Sequence, residues 1–311
     1  MHNIIKARRV ASKEKLLAVS GLLSGAIIWG LIWYPYRLLE QMGVSGALSS
    51  FATYLIPLIL GFSLYSERLR LRHFPPILLL IGLTAGWTNL AYVLAVIDGE
   101  VMRVLLLFYL SPLWTVLLAR LLLHERLRFH GYMVMALSFA GAVVMLWRPN
   151  LGLPLPQNTA EWMALSAGLT FAATNVLSRR AEASDIWLKS LSVWVGVSVL
   201  SLLALIYQPA TLAALPVLPV SGWVWLLLVS ILIFAVTLTV QYGLARAPAN
   251  QAIVIFLFEL VVAAVASYLL AGEVMTAQEW LGGAMIVAAS LFSGKLEGAP
   301  LAVIQNETSP S

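Results

Sequence analysis

Glu259 is the residue of this sequence whose position most directly suggests chemistry. It lies deep within a long apolar segment, between the hydrophobic stretches 253–258 and 260–266. An ionised carboxylate in such surroundings is costly, so we expect its side chain to face a cavity or a partner. There it could bind the ammonium group of a ligand or carry a proton. Alternatively, it could satisfy backbone groups or hydroxyls where a helix is irregular.

A few neutral polar side chains also fall within the apolar segments. The candidates for contacts with a ligand are Thr84, Asn89, Asn175 and Gln241. If the helices that carry them line one cavity, these side chains are expected to bind a solute there. The alternative for the threonine is a hydrogen bond between helices, which is common in bilayers. For the three amides both roles stay open, since a primary amide has more groups to satisfy.

Aromatic side chains form the third set of candidates. Most tryptophans lie at the ends of apolar segments, where an interfacial belt is expected. Others lie well inside the segments, and we take these as possible cavity walls: Trp29, Trp33, Trp87, Tyr92, Tyr109, Phe171, Tyr242 and Phe256. A cavity walled by aromatic rings would suit a planar or bulky apolar solute. The competing interpretation places these rings against lipid.

What the sequence lacks disfavours several classes of function. It has no Cys, and no Walker A motif that would let ATP drive it directly. The four histidines fall at the predicted inner surface, so we expect no metal site, and nothing calls for a cofactor. No Lys or Arg lies in the middle of an apolar segment, which argues against phosphate-bearing ligands such as sugar phosphates. A neutral, zwitterionic or cationic solute fits better.

The composition identifies an integral membrane protein. Of 311 residues, 61% are hydrophobic and 11% are charged, whereas soluble domains are usually about 25% charged. Continuous apolar runs predict an all-α integral membrane fold with ten transmembrane helices. We place these helices at 16–36, 46–65, 74–97, 101–123, 132–147, 162–179, 186–207, 223–244, 253–271 and 280–295.

The distribution of Lys and Arg predicts the orientation. With both termini in the cytoplasm, sixteen cations lie inside and three outside, namely Arg37, Arg103 and Arg148, as the positive-inside rule requires. The positive net charge is thereby explained without nucleic acid. We expect a multi-pass protein of the bacterial inner membrane whose partners are the lipid bilayer and a small-molecule substrate, with no obligate protein partner evident.

The two halves of the chain approximately repeat one another. The stretches 118–145 and 265–293 each contain an apolar run, a glutamate (Glu125 or Glu273), a polar break and a second apolar run. Residues 92–95 likewise match 242–245, and 37–40 match 179–182. Five spans per half put the copies in opposite orientations, a pattern typical of transporters. We divide the chain into a cytoplasmic segment 1–15, a five-helix repeat 16–147, an external linker 148–161, a second five-helix repeat 162–295 and a cytoplasmic tail 296–311.

These repeated segments resemble the EamA-type members of the drug/metabolite transporter superfamily. The resemblance is carried by residues 112–125 and 259–273, in which an apolar helix that usually contains Pro leads to a Glu, typically after Gly. The first copy departs from the pattern with His124 in place of Gly, and the second with Leu260 in place of Pro. The resemblance implies a carrier of small metabolites with a central cavity between the halves. The aromatic content makes the chain most similar to the YddG-type exporters of aromatic amino acids.

From this we expect a transporter and not an enzyme. It would export neutral or zwitterionic metabolites, aromatic amino acids fitting best, by alternating access through the central cavity. The alternative is efflux of lipophilic cationic drugs with Glu259 as the counter-charge. A more remote alternative is a membrane-embedded enzyme or assembly protein, which would usually need a nucleophile with a base or clustered metal ligands.

Overall fold

The computed structural model describes residues 2–69, 74–99, 101–125, 127–147, 155–207, 218–271 and 274–292. Within these ranges the chain forms α-helices and no strand. The helices are α1 (His2–Gln41), α2 (Gly46–Leu69), α3 (Ile77–Asp98), α4 (Val101–Phe108), α5 (Ser111–Leu118), α6 (Phe129–Leu146), α7 (Thr159–Arg180), α8 (Ile186–Tyr207), α9 (Val220–Arg246), α10 (Ala249–Phe256), α11 (Phe258–Ala271) and α12 (Ala277–Phe292). The predicted external linker, the loop 208–217, the tail and Glu273 lie wholly or largely outside the described residues.

Eight helical segments of the described chain are long and apolar enough to cross a bilayer. They are Lys13–Gln41, Gly46–Ser66, Ile77–Ala95, Val104–Leu123, Phe129–Leu146, Ile186–Ile206, Val220–Arg246 and Ala249–Leu270. This confirms an all-helical membrane fold, whereas ten spans in an inverted repeat remain a prediction. The two segments not in this set are α7, which carries several buried polar side chains, and α12, which has 16 residues.

Two of the predicted spans are broken where the sequence was expected to run as one helix. Residues 101–123 form α4 and α5, separated at Tyr109–Leu110, and then a π-helical turn, Ala119–Leu123. Pro112, in the first turn of α5, explains the first break because it has no backbone N–H to continue a helix. Residues 253–271 are interrupted at Leu257, although Leu260 stands where a proline would be expected. The breaks occur at equivalent places in the two halves.

His124 ends the π-helical turn in a left-handed backbone conformation, with φ 57° and ψ 21°. Glycine adopts this conformation without steric cost, whereas other residues do so less readily. The Glu125 N–H then donates to the Ala119 carbonyl at 3.2 Å. The backbone geometry therefore explains why the related motif usually has Gly at this position.

Contacts between the halves follow a reciprocal pattern. α3 packs on α7 and α8, and α9, which is the third segment of the second half, packs on α1 and α2. α7 packs on α4 and α5, just as α1 packs on α10 and α11, while α2 packs on α8 and α6 on α12. If each helix is replaced by its counterpart in the other half (α1 by α7, α2 by α8, and so on), the same set of contacts results. The α2–α8 and α6–α12 contacts are then unchanged, and the others are exchanged in pairs.

Glycine permits close backbone approach at several of these contacts, and α6 with α12 is one example. A Cβ on Gly141 of α6 would lie 2.8 Å from the Gly282 carbonyl oxygen, and a Cβ on Gly282 of α12 would lie 2.5 Å from the Gly141 carbonyl oxygen. Because both obstacles are backbone atoms, they cannot move aside as a side chain can. Small residues allow such backbone approach between helices in membranes.

Candidate binding cavity

A cavity of about 560 Å³ lies between the halves, bounded by residues of α1, α2, α3, α4, α7, α8, α9 and α11. It reaches the molecular surface at the end of α1, where the exposed Arg37 and Glu40 line its mouth beside Gly46. Small-molecule sites commonly occupy roughly 300–1,000 Å³. The cavity is therefore large enough for a metabolite.

Aromatic side chains from both halves form one connected cluster along the cavity. The Trp29 ring centroid lies 5.2 Å from that of Phe256 and 6.1 Å from that of Phe171. Phe171 lies 5.5 Å from Phe108 and 5.8 Å from Phe256, and Phe108 lies 5.0 Å from Tyr92. Trp29, Tyr92, Phe108 and Phe171 line the cavity, whereas Phe256 is buried behind them. That these rings contact a substrate stays a prediction.

Glu259 lines the same cavity from the first turn of α11. The helix break at Leu257 exposes the amino end of α11, and the partial positive charge of a helix amino end favours a carboxylate there. The Tyr109 hydroxyl donates a hydrogen bond to the carboxylate. α1 passes closely, since a Cβ on Gly30 would lie 2.8 Å from the Glu259 carbonyl oxygen. The carboxylate is thus held at a helix irregularity and also faces the cavity, so both expected roles are compatible with its position.

Five cavity residues carry a buried polar atom that makes no hydrogen bond within the described part of the protein. They are Trp33 (Nε1), Ser50 (Oγ), Asn89 (Oδ1), Asn175 (Nδ2) and Gln241 (Oε1). Buried polar atoms almost always have a partner, whether protein, water or ligand. Two donors, two acceptors and a hydroxyl that can act as either are therefore available to a bound molecule.

The structure places Thr84 and Trp87 at the interface between α3 and α7. Thr174 donates to the Thr84 hydroxyl at 2.8 Å, and the Trp87 indole donates to the Ser166 hydroxyl at 3.1 Å. Neither residue lines the cavity. Thr84 thus makes the interhelical hydrogen bond that was its alternative role. Tyr109 and Phe256 lie one layer behind the wall, in contact with Glu259 and Trp29.

Tyr242 lies away from the central cavity. Its ring packs beneath the Arg246 guanidinium, 3.7 Å from the ring centroid, and it lines a separate groove between α1, α8 and α9. The sequence match of Tyr92 with Tyr242 is offset by two residues from the structural pairing, in which Asn89 corresponds to Gln241. Two residues turn an α-helix by about 200°, which moves a side chain to the opposite face.

Sequence reasoning missed several residues that line the cavity. They are Tyr36, Arg37, Glu40, Ser50, Tyr54 and Phe108. A signal was present for those on α1, because positions 29, 33, 36, 37 and 40 follow the spacing of one helix face. No candidate residue had been identified on α2, so the sequence did not indicate which face of that helix lines the cavity.

At the opposite end of the helices from Arg37, a polar network joins the two halves. Glu125 accepts hydrogen bonds from the Ala249 N–H at 3.3 Å and the Asn250 amide at 3.2 Å, at the start of α10. Its carboxylate lies 3.9 Å from Nε of Arg179, which also pairs with Glu182 at 2.8 Å and donates to the Ala245 carbonyl. Burial raises the pKa of Glu125 above its usual value, although these contacts oppose the shift.

Within the described residues, no group of three or more His, Asp or Glu side chains could hold a metal ion. The polar groups of the cavity are instead spread along its walls. This arrangement suits binding of an organic solute at several points.

Comparison with known proteins places the chain in a family. Residues 16–147 and 158–294 each match the model of the EamA-like transporter family. An uncharacterized transporter of Pseudomonas aeruginosa is 30% identical over 167 residues, which cover 51% of this chain and 53% of that protein. An uncharacterized transporter of Archaeoglobus fulgidus is 25% identical over 215 residues, covering 66% and 72%. The match thus spans about half the length of the Pseudomonas relative.

A solved crystal structure shares the fold. It aligns with a TM-score of 0.69 and 19% identity, and it covers 91% of this chain and 98% of its own. The two consecutive family matches coincide with the two halves that surround the cavity. The chain belongs to the EamA-like transporter family, which indicates a multi-pass membrane transporter and not an enzyme.

Proposed function

We propose that the protein exports small neutral or zwitterionic metabolites, with aromatic amino acids as the best-fitting class. The observation that carries this proposal is the central cavity, in which an aromatic wall and the Glu259 carboxylate face the same space. The rings of Trp29, Phe171 and Phe108 offer contact area to a planar side chain. Glu259 offers a counter-charge for an ammonium group, and the unpaired amides offer further hydrogen bonds.

The proposed orientation makes the described conformation open to the outside. The positive-inside rule puts Arg37 and Glu40 at the external surface and Glu125 and Arg179 at the cytoplasmic one. The exposed lining residues, Arg37 and Glu40, support an opening at the external end of the cavity, and the contacts of Glu125 join the halves at the other end. Opening one side while closing the other would carry a solute across. In this proposal α7 and α12 complete ten spans, with both termini in the cytoplasm of a bacterial cell.

Efflux of lipophilic cations is the alternative that the same carboxylate supports. Glu259 beside aromatic rings would also suit a quaternary ammonium group, through both charge and cation–π contacts. Phosphorylated sugars fit less well. Arg37 is the cation among the described lining residues, and it lies at the mouth beside Glu40 rather than at the level of Glu259.

Transport by purified protein in liposomes separates these possibilities. We would compare efflux of phenylalanine, tryptophan, threonine, a quaternary ammonium drug and a sugar phosphate, with protein-free liposomes as the control. The proposal expects phenylalanine and tryptophan to be transported and the sugar phosphate to be retained. Efflux of the quaternary drug without that of the amino acids would favour the alternative, and efficient transport of the sugar phosphate alone would refute both.

A further inference from the structure

Lys189 is a cationic residue that is buried inside the protein. It lies in the first turn of α8, and its side chain is fully buried, with 0% of its surface exposed. On one face of α8, positions 189, 193 and 197 follow at intervals of one turn, and Val193 and Val197 line the cavity. Lys189 therefore lies one turn beyond the cavity floor, on the side closed by the Glu125 network.

The surroundings of Lys189 satisfy its charge incompletely. Its ammonium has three donors, yet the hydrogen bond found within the described residues is one to the Ser178 carbonyl at 3.4 Å. Arg179 and Arg246 repel the charge, whereas Glu182 and Asp185 attract it. Burying a charge without full compensation is costly. Such a group gains free energy if an anion reaches it.

Lys189 has no charged counterpart in the first half. The cavity-lining pairs Ser50 and Val193, and Tyr54 and Val197, relate α2 to α8 by 143 residues, which makes Gly46 the counterpart of Lys189. The first half therefore has no side chain at the corresponding position. Lysines near span ends usually extend to the water interface, but this one is covered.

We propose that Lys189 binds the carboxylate of the substrate when the cytoplasmic side opens. This inference rests on the proposed export of zwitterionic amino acids. Parting of Arg179 from Glu125 uncovers the floor near Ser178 and lets a carboxylate contact the ammonium of Lys189. In the outward-open conformation Lys189 is sealed beneath the floor. The carboxylate then lacks its partner, which favours release to the outside.

The inference predicts a difference between the two faces of the wild-type protein. We would measure competition against labelled phenylalanine by four unlabelled probes, added to the cytoplasmic face or to the external face. The probes are phenylalanine, phenylalaninamide, 3-phenylpropionate and 2-phenylethylamine, and the last three each alter or lack one charged group. Free phenylalanine should outcompete its amide at the cytoplasmic face by about tenfold to a hundredfold, the range of one hydrogen bond to a charged group. At the external face this preference should be absent.

Variants identify the residue responsible. Lys189→Gln should weaken competition by phenylalanine and 3-phenylpropionate by a similar factor and leave phenylalaninamide and 2-phenylethylamine unchanged. Lys189→Arg should retain most of the preference, and Lys13→Gln, which removes an exposed lysine of α1, should retain all of it. Equal losses for all four probes would show a structural role and overturn the inference.

The wild-type comparison stands even if Lys189→Gln does not fold. No preference for the acid at the cytoplasmic face would overturn the inference, although phenylalanine is transported. Absence of phenylalanine transport by the wild-type protein would instead refute the proposed function.

Discussion

Removal of the Glu125 side chain should open the cytoplasmic end of the cavity. Glu125→Ala deletes the acceptors of two hydrogen bonds, from Ala249 and Asn250, and the 3.9 Å ion pair with Arg179. Hydrogen bonds to charged groups contribute about 1.5–3 kcal/mol each, and a partly exposed ion pair contributes about 1 kcal/mol or less. Water replaces part of these contacts when the network opens, so we expect Glu125→Ala to reduce the free energy that favours the closed state by about 2 kcal/mol. That change shifts the equilibrium between the closed and inward-open states about thirtyfold towards the inward-open state.

Accessibility of a buried cysteine measures this shift. The chain has no native Cys, so Ser178→Cys reports on a position that is 0% exposed while the network is closed. We expect a membrane-impermeant thiol reagent, applied to the cytoplasmic face, to label this cysteine about thirtyfold faster in the Glu125→Ala background if opening limits labelling. Glu14→Ala, at an exposed position of α1, is the matched control. Unchanged labelling of a well-folded Glu125→Ala protein would refute the gating role.

The remaining predictions concern pH, topology, packing and Glu259. Because burial raises the pKa of Glu125 when the network is closed, protonation favours closure, so labelling of Ser178→Cys should slow as the cytoplasmic pH falls towards the ordinary pKa, after correction for thiol ionisation. Glu125→Gln, which mimics the protonated group, should stay closed and abolish this dependence, and persistence of the dependence would assign it to another group. In intact cells, an external reagent should label Ala213→Cys and not Leu127→Cys, and the reverse result would invert the topology. Gly282→Ala should lower the melting temperature, because overpacking costs about 1–3 kcal/mol of stability. Gly283→Ala is the control and should not lower it, since its Cβ would meet Val261 at an ordinary 3.8 Å. Equal effects of the two substitutions would contradict the described contact. Glu259→Gln should abolish phenylalanine transport without loss of folding, and near-normal transport would leave Glu259 a structural role.

The sequence predicted the hydrophobic segments well because length and continuity of apolar residues determine whether a helix can cross a bilayer. It did not predict the interruption at Leu257, since Leu260 is compatible with a continuous helix. Polar positions on α7 lower its hydropathy, yet they are covered by neighbouring helices. The hydropathy of a segment reports its amino-acid composition, but it does not show which helices pack on that segment.

The candidate site was predicted in part for a similar reason. Trp29, Trp33, Asn89, Tyr92, Phe171, Asn175, Gln241 and Glu259 all line the cavity. Tyr242 was misplaced because a match of four residues does not fix helical register to within two positions. Lys189 was counted with the cytoplasmic cations, because its sequence position near a span end is the same whether water or protein surrounds it.

The contact between Trp29 and Phe171 has a particular relation to the two halves. The positions differ by 142 residues, the same interval that relates Arg37 to Arg179, so each ring touches its own counterpart. Exchanging the conformations of the halves turns this contact into itself, whereas it turns the packing of α1 on α9 into that of α7 on α3. The Trp29–Phe171 contact is therefore the same before and after the halves exchange conformations, so the halves can pivot about it. The volume at this contact is filled by two side chains, so a smaller residue at one position is compensated only by a larger residue at the other.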